Sequence, residues 1–136
     1  NCEIIYVLAT VTTKNKNFID KKLLKKMKHN SCFVLMSRAA VVNFKDLINT
    51  VKKRNIFVAT DVFPEEPVPK KSSLRKVKNI LFSAHRAGAL KSAFFNMGEI
   101  VLKDMNLIRK NLKPKFCKIA NKRTVNLIAS KPVAIN

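Results

Sequence analysis

The chain has 136 residues, 47% of them hydrophobic, with 28 Lys and Arg against 8 Asp and Glu, a formal net charge of +20 and a mean hydropathy of −0.05. That is material for one domain with its own core, and it excludes a chain disordered throughout. No apolar run reaches the roughly 18 residues that span a bilayer, and the first residues lack the charged start and long apolar stretch of a secretory signal, so a cytoplasmic protein without membrane contact is expected. Cys2, Cys32 and Cys117 are odd in number and widely spaced, which suits neither a disulfide framework nor a zinc site; a reducing compartment and no metal follow. The lysines run through every segment and no groove-reading motif accompanies them, so the charge reads as a solvated Lys-rich surface and not as a nucleic-acid interface. The chain has no initiator Met and enters an apolar run almost at once, as a piece of a larger protein would.

Four short, nearly continuous apolar runs, Ile4 to Ala9, Cys32 to Met36, Ile56 to Ala59 and Ile80 to Phe82, have the length and residue types of strands buried on both faces of a parallel sheet. Helical patterns lie between them. Asp20 can cap a segment with Leu23, Leu24 and Met27 on one side, and Asn43 precedes Phe44, Leu47, Ile48 and Val51 at i, i+3, i+4, i+7. This alternation predicts an α/β fold of βαβ crossovers. The stretch from Phe63 to Pro69 holds three prolines and is expected to be a rigid loop. From Leu90 a stripe of Phe94, Met97, Val101, Met105, Ile108 and Leu112 predicts a long amphipathic helix ended by Pro114. Residues 1–113 thus form the organised part. Residues 114–136 are a tail whose only pattern is a short helix around Val125 to Ala129.

In open α/β sheets ligands bind beyond the carboxyl ends of the strands. The residues there are Thr10-Val11-Thr12, Ser37-Arg38-Ala39, Thr60-Asp61 and Ser83-Ala84-His85, so one sheet edge would carry hydroxyls, a guanidinium, a carboxylate and an imidazole. Asp61, Glu65 and Glu66 also fall together in an otherwise basic chain. Arg38 is placed to grip a carboxylate in a two-pronged hydrogen bond. A carboxylate such as Glu66 against the His85 imidazole would orient the ring and favour its protonated form, which suits a general acid. His29, ending a lysine-rich helix, reads as surface; Cys32 reads as a small core residue; Gly88 either loosens the approach to the long helix or lets backbone near a ligand.

Ser37-Arg38, then Asp61-Val62-Phe63-Pro64-Glu65-Glu66-Pro67, then His85-Arg86-Ala87-Gly88 resemble the consecutive signatures of the D-isomer-specific 2-hydroxyacid dehydrogenases, whose pattern runs S/A-R-G, D-V-F-x-x-E-P and P-H-x-x-G. Leu8-Ala9-Thr10-Val11-Thr12, Phe18-Ile19 and Met27-Lys28 resemble the stretch upstream of these. The resemblance runs from Ile4 to Ala93. It implies a partial Rossmann-like, doubly wound parallel sheet, the carboxyl-terminal part of a dinucleotide-binding domain. It implies that Arg38 binds the substrate carboxylate, His85 is the acid/base and Glu66 pairs with it. Cofactor contacts would come from Ala9, Thr12, Ser37, Arg38, Asp61, His85 and Gly88, with Asp61 at the nicotinamide end of NAD, NADP being the alternative. The activity implied is hydride transfer between a nicotinamide and a small 2-hydroxy or 2-oxo acid, in a full-length homodimer.

Ala39, Ala84 and Thr10 depart from the pattern at a glycine and two prolines. No G-x-G-x-x-G is present; the only glycines are Gly88 and Gly98, so the phosphate loop and most of a substrate domain are expected to precede the stretch seen here. The edge of the strand from Ile4 would then be bare, and poor stability or self-association of the isolated chain is expected, which sedimentation at micromolar concentration tests. The rival reading is a catalytically silent, basic α/β fragment that binds nucleic acid or another anion, recognised by steep salt dependence and indifference to Arg38, Glu66 and His85.

Overall fold

A computed structural model describes residues 2–118 and 120–122. The predicted helix around Val125 to Ala129 lies outside the described residues. Strands β1 (Ile4–Val7), β2 (Cys32–Leu35), β3 (Phe57–Thr60) and β4 (Ile80–Phe82) form one parallel sheet in the order β1-β2-β3-β4. Parallel neighbours require crossovers, and the first two carry helices: α1 (Lys21–Leu24) and α2 (Phe44–Arg54). Both begin where the caps predict. Asp20 accepts from the Leu23 N–H and Asn43 from the Asp46 N–H, satisfying first-turn donors that have no partner within the helix. The third crossover is the proline-rich loop followed by a single tight turn over Ser73–Lys76.

β4 coincides with its apolar run, while the other three strands are shorter than, or offset from, theirs. β1 stops at Val7 and β2 at Leu35, while Ile56 is buried just ahead of β3. Among the four strands, burial on both faces holds for β2 alone, where Phe33, Val34 and Leu35 are all buried. Phe33 and Val58 lie in register, as do Leu35 and the buried Thr60, and Phe33, Leu35 and Val58 join Leu24, Leu47 and Val51 in one core on the helix side. On the other face Tyr6 and Leu81 are 65% and 72% exposed. Cys32 lies in register with Ile4 and Phe57 and is half-buried, so it is not the core residue its run suggested. Continuous apolar runs look alike whether one or both faces are covered. Periodicity alone therefore does not count the layers.

The described residues divide into two compact units, one up to His85 and one from Arg86 onward. The second contains α3 (Lys91–Arg109), which ends sooner than its apolar stripe. Asn111 takes a left-handed φ of 57°, its N–H donates to the Ile108 carbonyl at 2.9 Å, and the Leu112 N–H returns to the Leu107 carbonyl at 2.9 Å. That is a Schellman ending, so Asn111 terminates the helix and Pro114 follows a helix already closed. Beyond it, the buried Asp104 carboxylate accepts backbone N–H groups from Lys115, Phe116 and Cys117. No helix among the described residues is long and apolar enough to cross a membrane.

Left-handed backbone occurs at Asn17, Asn30, Asn55, Asn111 and His85, and neither glycine has positive φ. Asparagine, the residue after glycine most tolerant of that region, does the work glycine usually does. Among the described residues, His85 is the exception.

Candidate active site

The carboxyl ends of β2, β3 and β4 are tied together by their backbones. The Asp61 N–H donates to the Leu35 carbonyl at 3.1 Å, and the Ser83 N–H donates to the Thr60 carbonyl at 3.0 Å. The fully buried Thr60 hydroxyl donates to the Val62 carbonyl at 2.8 Å and folds the chain back as it leaves β3. Asp61, 2% exposed, accepts a hydrogen bond from the Ser83 hydroxyl.

The proline-rich loop then returns Glu66 toward the end of β4. Its Oε1 accepts the Phe63 N–H at 2.8 Å, while Oε2 meets His85 Nδ1 at 2.7 Å. One oxygen is thus anchored by the glutamate's own loop, and the other is aimed at the imidazole. Both side chains are about one-third exposed, at 30% and 32%, so the pair is screened and matters more for orientation than for stability. With Nδ1 held, Nε2 is the ring nitrogen left to face a substrate. His85 has a φ of 54°, a conformation that costs an L residue roughly 1–2 kcal/mol. Such strain in an ordered turn accompanies sites where a side chain must be aimed.

The far end of the loop is clasped by Arg75, whose Nε and Nη2 donate to the Pro69 and Val68 carbonyls at 3.0 and 2.6 Å. The Glu66–Pro67 peptide is cis. Between loop and strand lies a cleft of about 460 Å³, with Phe63, Val68, Phe82 and His85 in its lining.

Arg38 stands exposed after β2, and its Nη1 donates to the Ser37 carbonyl at 2.8 Å; no hydrogen bond joins it to Glu66 or His85. The Ser37 hydroxyl is buried without a hydrogen-bond partner among the described residues. A buried hydroxyl demands a partner, so this orphan fits a polar group of a bound dinucleotide. Ala9 is exposed beyond β1, and Thr12 sits in a loop shaped by Asn15: the Thr12 N–H donates to Asn15 Oδ1 at 2.6 Å and Asn15 Nδ2 to the Thr10 carbonyl at 2.8 Å. Asn15 was not anticipated, although an Asn three residues after Thr12 is itself a turn signal. Gly88 belongs to the other unit, and a side chain there would meet nothing within 4 Å. His29 is exposed, as expected, away from these residues between α1 and α2.

Residues 1–87 match the family model described as D-isomer specific 2-hydroxyacid dehydrogenase, NAD binding domain. The chain belongs to this family. A glyoxylate reductase from Thermococcus litoralis is 34% identical over 113 residues, which cover 82% of this chain and 34% of the relative. A glyoxylate reductase from Thermofilum pendens is 27% identical over 82% of this chain and 33% of its own length. Among solved structures, a phosphoglycerate oxidoreductase from Rhizobium etli superposes with a TM-score of 0.76 at 42% identity, covering 88% of this chain and 36% of that one. A D-isomer specific 2-hydroxyacid dehydrogenase from Xanthobacter autotrophicus, solved with NADPH, shares the fold at a TM-score of 0.72 and 22% identity over 84% of this chain and 47% of its own. The chain spans about a third of the length of the curated relatives it matches. The parallel α/β sheet agrees with the Rossmann-like expectation.

Proposed function

We propose that this chain carries the proton-donating and substrate-gripping groups of an NAD- or NADP-dependent enzyme that interconverts small 2-oxo and 2-hydroxy acids. The observation that carries the reading is the Glu66–His85 pair at the carboxyl edge of a parallel sheet, in a chain of this family. The nicotinamide, when bound, supplies the hydride that goes to the carbonyl carbon. His85 delivers its proton from Nε2 to the carbonyl oxygen, so that the two additions yield the hydroxyl. Glu66, anchored by the Phe63 N–H, holds the imidazole by Nδ1 and so leaves Nε2 outward. Arg38 grips the substrate carboxylate with its planar fork. Ala9, Thr12, Ser37, Arg38, Asp61, His85 and Gly88 contact the dinucleotide, with Asp61 toward the nicotinamide. Residues 1–113 count as part of the dinucleotide domain, 114–136 as its tail, and the complete protein acts as a homodimer.

The test is NADH oxidation by the complete protein with glyoxylate, hydroxypyruvate and pyruvate. Turnover with at least one acid is expected, and Arg38→Lys should raise KM sharply without restoring the wild-type rate, because an ammonium lacks the bidentate fork. An Arg38→Lys enzyme with wild-type kcat/KM would remove Arg38 from the substrate.

A further inference from the structure

We infer that Ser83 is a positioning residue for the cofactor end of this site: its hydroxyl holds the Asp61 carboxylate in the orientation that meets the nicotinamide end of the dinucleotide. The inference rests on the assignment of Asp61 proposed above. Thr60 and Phe82 are the last paired residues of β3 and β4, so Ser83 and Asp61 are the next residues along in register. Ser83 attaches there twice, by its N–H to the Thr60 carbonyl and by its hydroxyl to one Asp61 oxygen. Asp61 is almost wholly buried, and a buried carboxylate oxygen has few compatible orientations unless a donor selects one. Serine fits the place: its hydroxyl is short enough to reach the neighbouring strand end, while its N–H sets the start of the turn that carries His85 two residues on.

These two attachments can be separated. Ser83→Ala removes the hydroxyl and keeps the N–H, so the path to His85 persists while Asp61 loses the donor on one oxygen. The expected defect is therefore in dinucleotide binding and not in proton transfer.

The experiment measures the NADH dissociation constant of the complete protein by nicotinamide fluorescence, beside the pH profile of kcat. Ser83→Ala is expected to weaken NADH roughly tenfold, the cost of a hydrogen bond to a charged group, with the pH profile unmoved. Ser83→Thr, which keeps the hydroxyl, should bind NADH as wild type does. Asp61→Asn should also weaken NADH, and adding Ser83→Ala to it should cost little more, since the two act as one unit. Wild-type affinity in Ser83→Ala beside a weakened Asp61→Asn overturns the inference and leaves the assignment of Asp61 standing. Wild-type affinity in Asp61→Asn overturns both. Failure of Ser83→Thr to restore binding, or a pH profile that moves in Ser83→Ala, marks a merely structural residue and overturns the inference. If Ser83→Ala does not fold, Ser83→Cys, close in volume but a weak donor, carries the same expectation of reduced affinity, and wild-type affinity there overturns it.

Discussion

The two ends of the sheet are both polar, and they are built on different terms. At the amino end Asn30, Asn55 and Asn79 stand just ahead of β2, β3 and β4, and they bond to one another: Asn55 Nδ2 to Asn30 Oδ1 at 2.8 Å, and Asn79 Nδ2 to Asn55 Oδ1 at 2.9 Å. These are neutral groups whose partners are their own kind. At the carboxyl end stand two carboxylates, an imidazole on a left-handed backbone and a buried hydroxyl without a partner. A polar row that closes on itself is a clasp that holds strands together. A row that keeps an imidazole and its carboxylate partly exposed, and leaves a buried hydroxyl without a partner among the described residues, is built to receive something else.

Substitutions at each end should break this contrast if it is wrong. The largest effect is expected from His85→Ala, a loss of turnover of roughly 10²–10⁴-fold with NADH affinity little changed, read by steady-state kinetics and fluorescence titration. Unchanged turnover would return the carboxyl end to the status of a second clasp. Glu66→Gln keeps the size and an acceptor for the Phe63 N–H but gives up the charge beside Nδ1, and a smaller loss, on the order of tenfold, is expected. At the amino end Asn55→Ala removes both amide bonds and puts a β-carbon on a backbone with φ of 50°, so about 2–3 kcal/mol of stability should go in urea unfolding while kcat stays as it was. Asn55→Gly should recover the backbone part of that loss. A fall in kcat in either variant would blur the distinction between the ends.

The smallest effect concerns neither end. Burial pushes the Asp104 carboxyl up, but the Cys117, Lys115 and Phe116 N–H groups outweigh it and hold it below the ordinary value of 3.8. A depressed carboxyl contributes its hold above that ordinary value and loses it as pH falls further. The amides of 115–117 should therefore exchange well below their intrinsic rate at neutral pH and approach the intrinsic rate for that pH as the solution is taken below 3.8. In Asp104→Asn they should approach the intrinsic rate at neutral pH as well. Burial and the same carboxylate push the Cys117 thiol above 9.0, so it should resist alkylation at neutral pH.

What was legible in the sequence was what local chemistry decides. Asp20 and Asn43 announced their helices because a cap acts on N–H groups two or three residues away. The order of hydroxyl, guanidinium, carboxylate and imidazole at successive strand ends was readable for the same reason, and so was the loop that carries Glu66. The end of α3 was misread because Pro114 is the louder signal, while Asn111 acts only through its φ. The Asp61–Ser83 bond and the asparagine clasp were not legible, since each needs the register between strands, which no single segment contains. The exposed face of the sheet escaped for a related reason: an apolar run states what it can bury and not whether anything is there to cover it.

The Arg75 clasp has a consequence for how such a site is put together. Apart from the bond of the Ser83 N–H to the Thr60 carbonyl, the contacts that hold the imidazole lie between Phe63 and His85: the glutamate, the N–H that anchors it, and the guanidinium that grips the loop carbonyls. The Glu66–His85 contact closes a loop of only 19 residues, a small entropic cost on the logarithmic scale of loop closure. Arg38 reaches the same edge on a different strand, through the packing of α2 and the pairing of β2 with β3. The Glu66–His85 pair is thus set largely within one short stretch of chain, whereas Arg38 depends on the pairing of a separate strand.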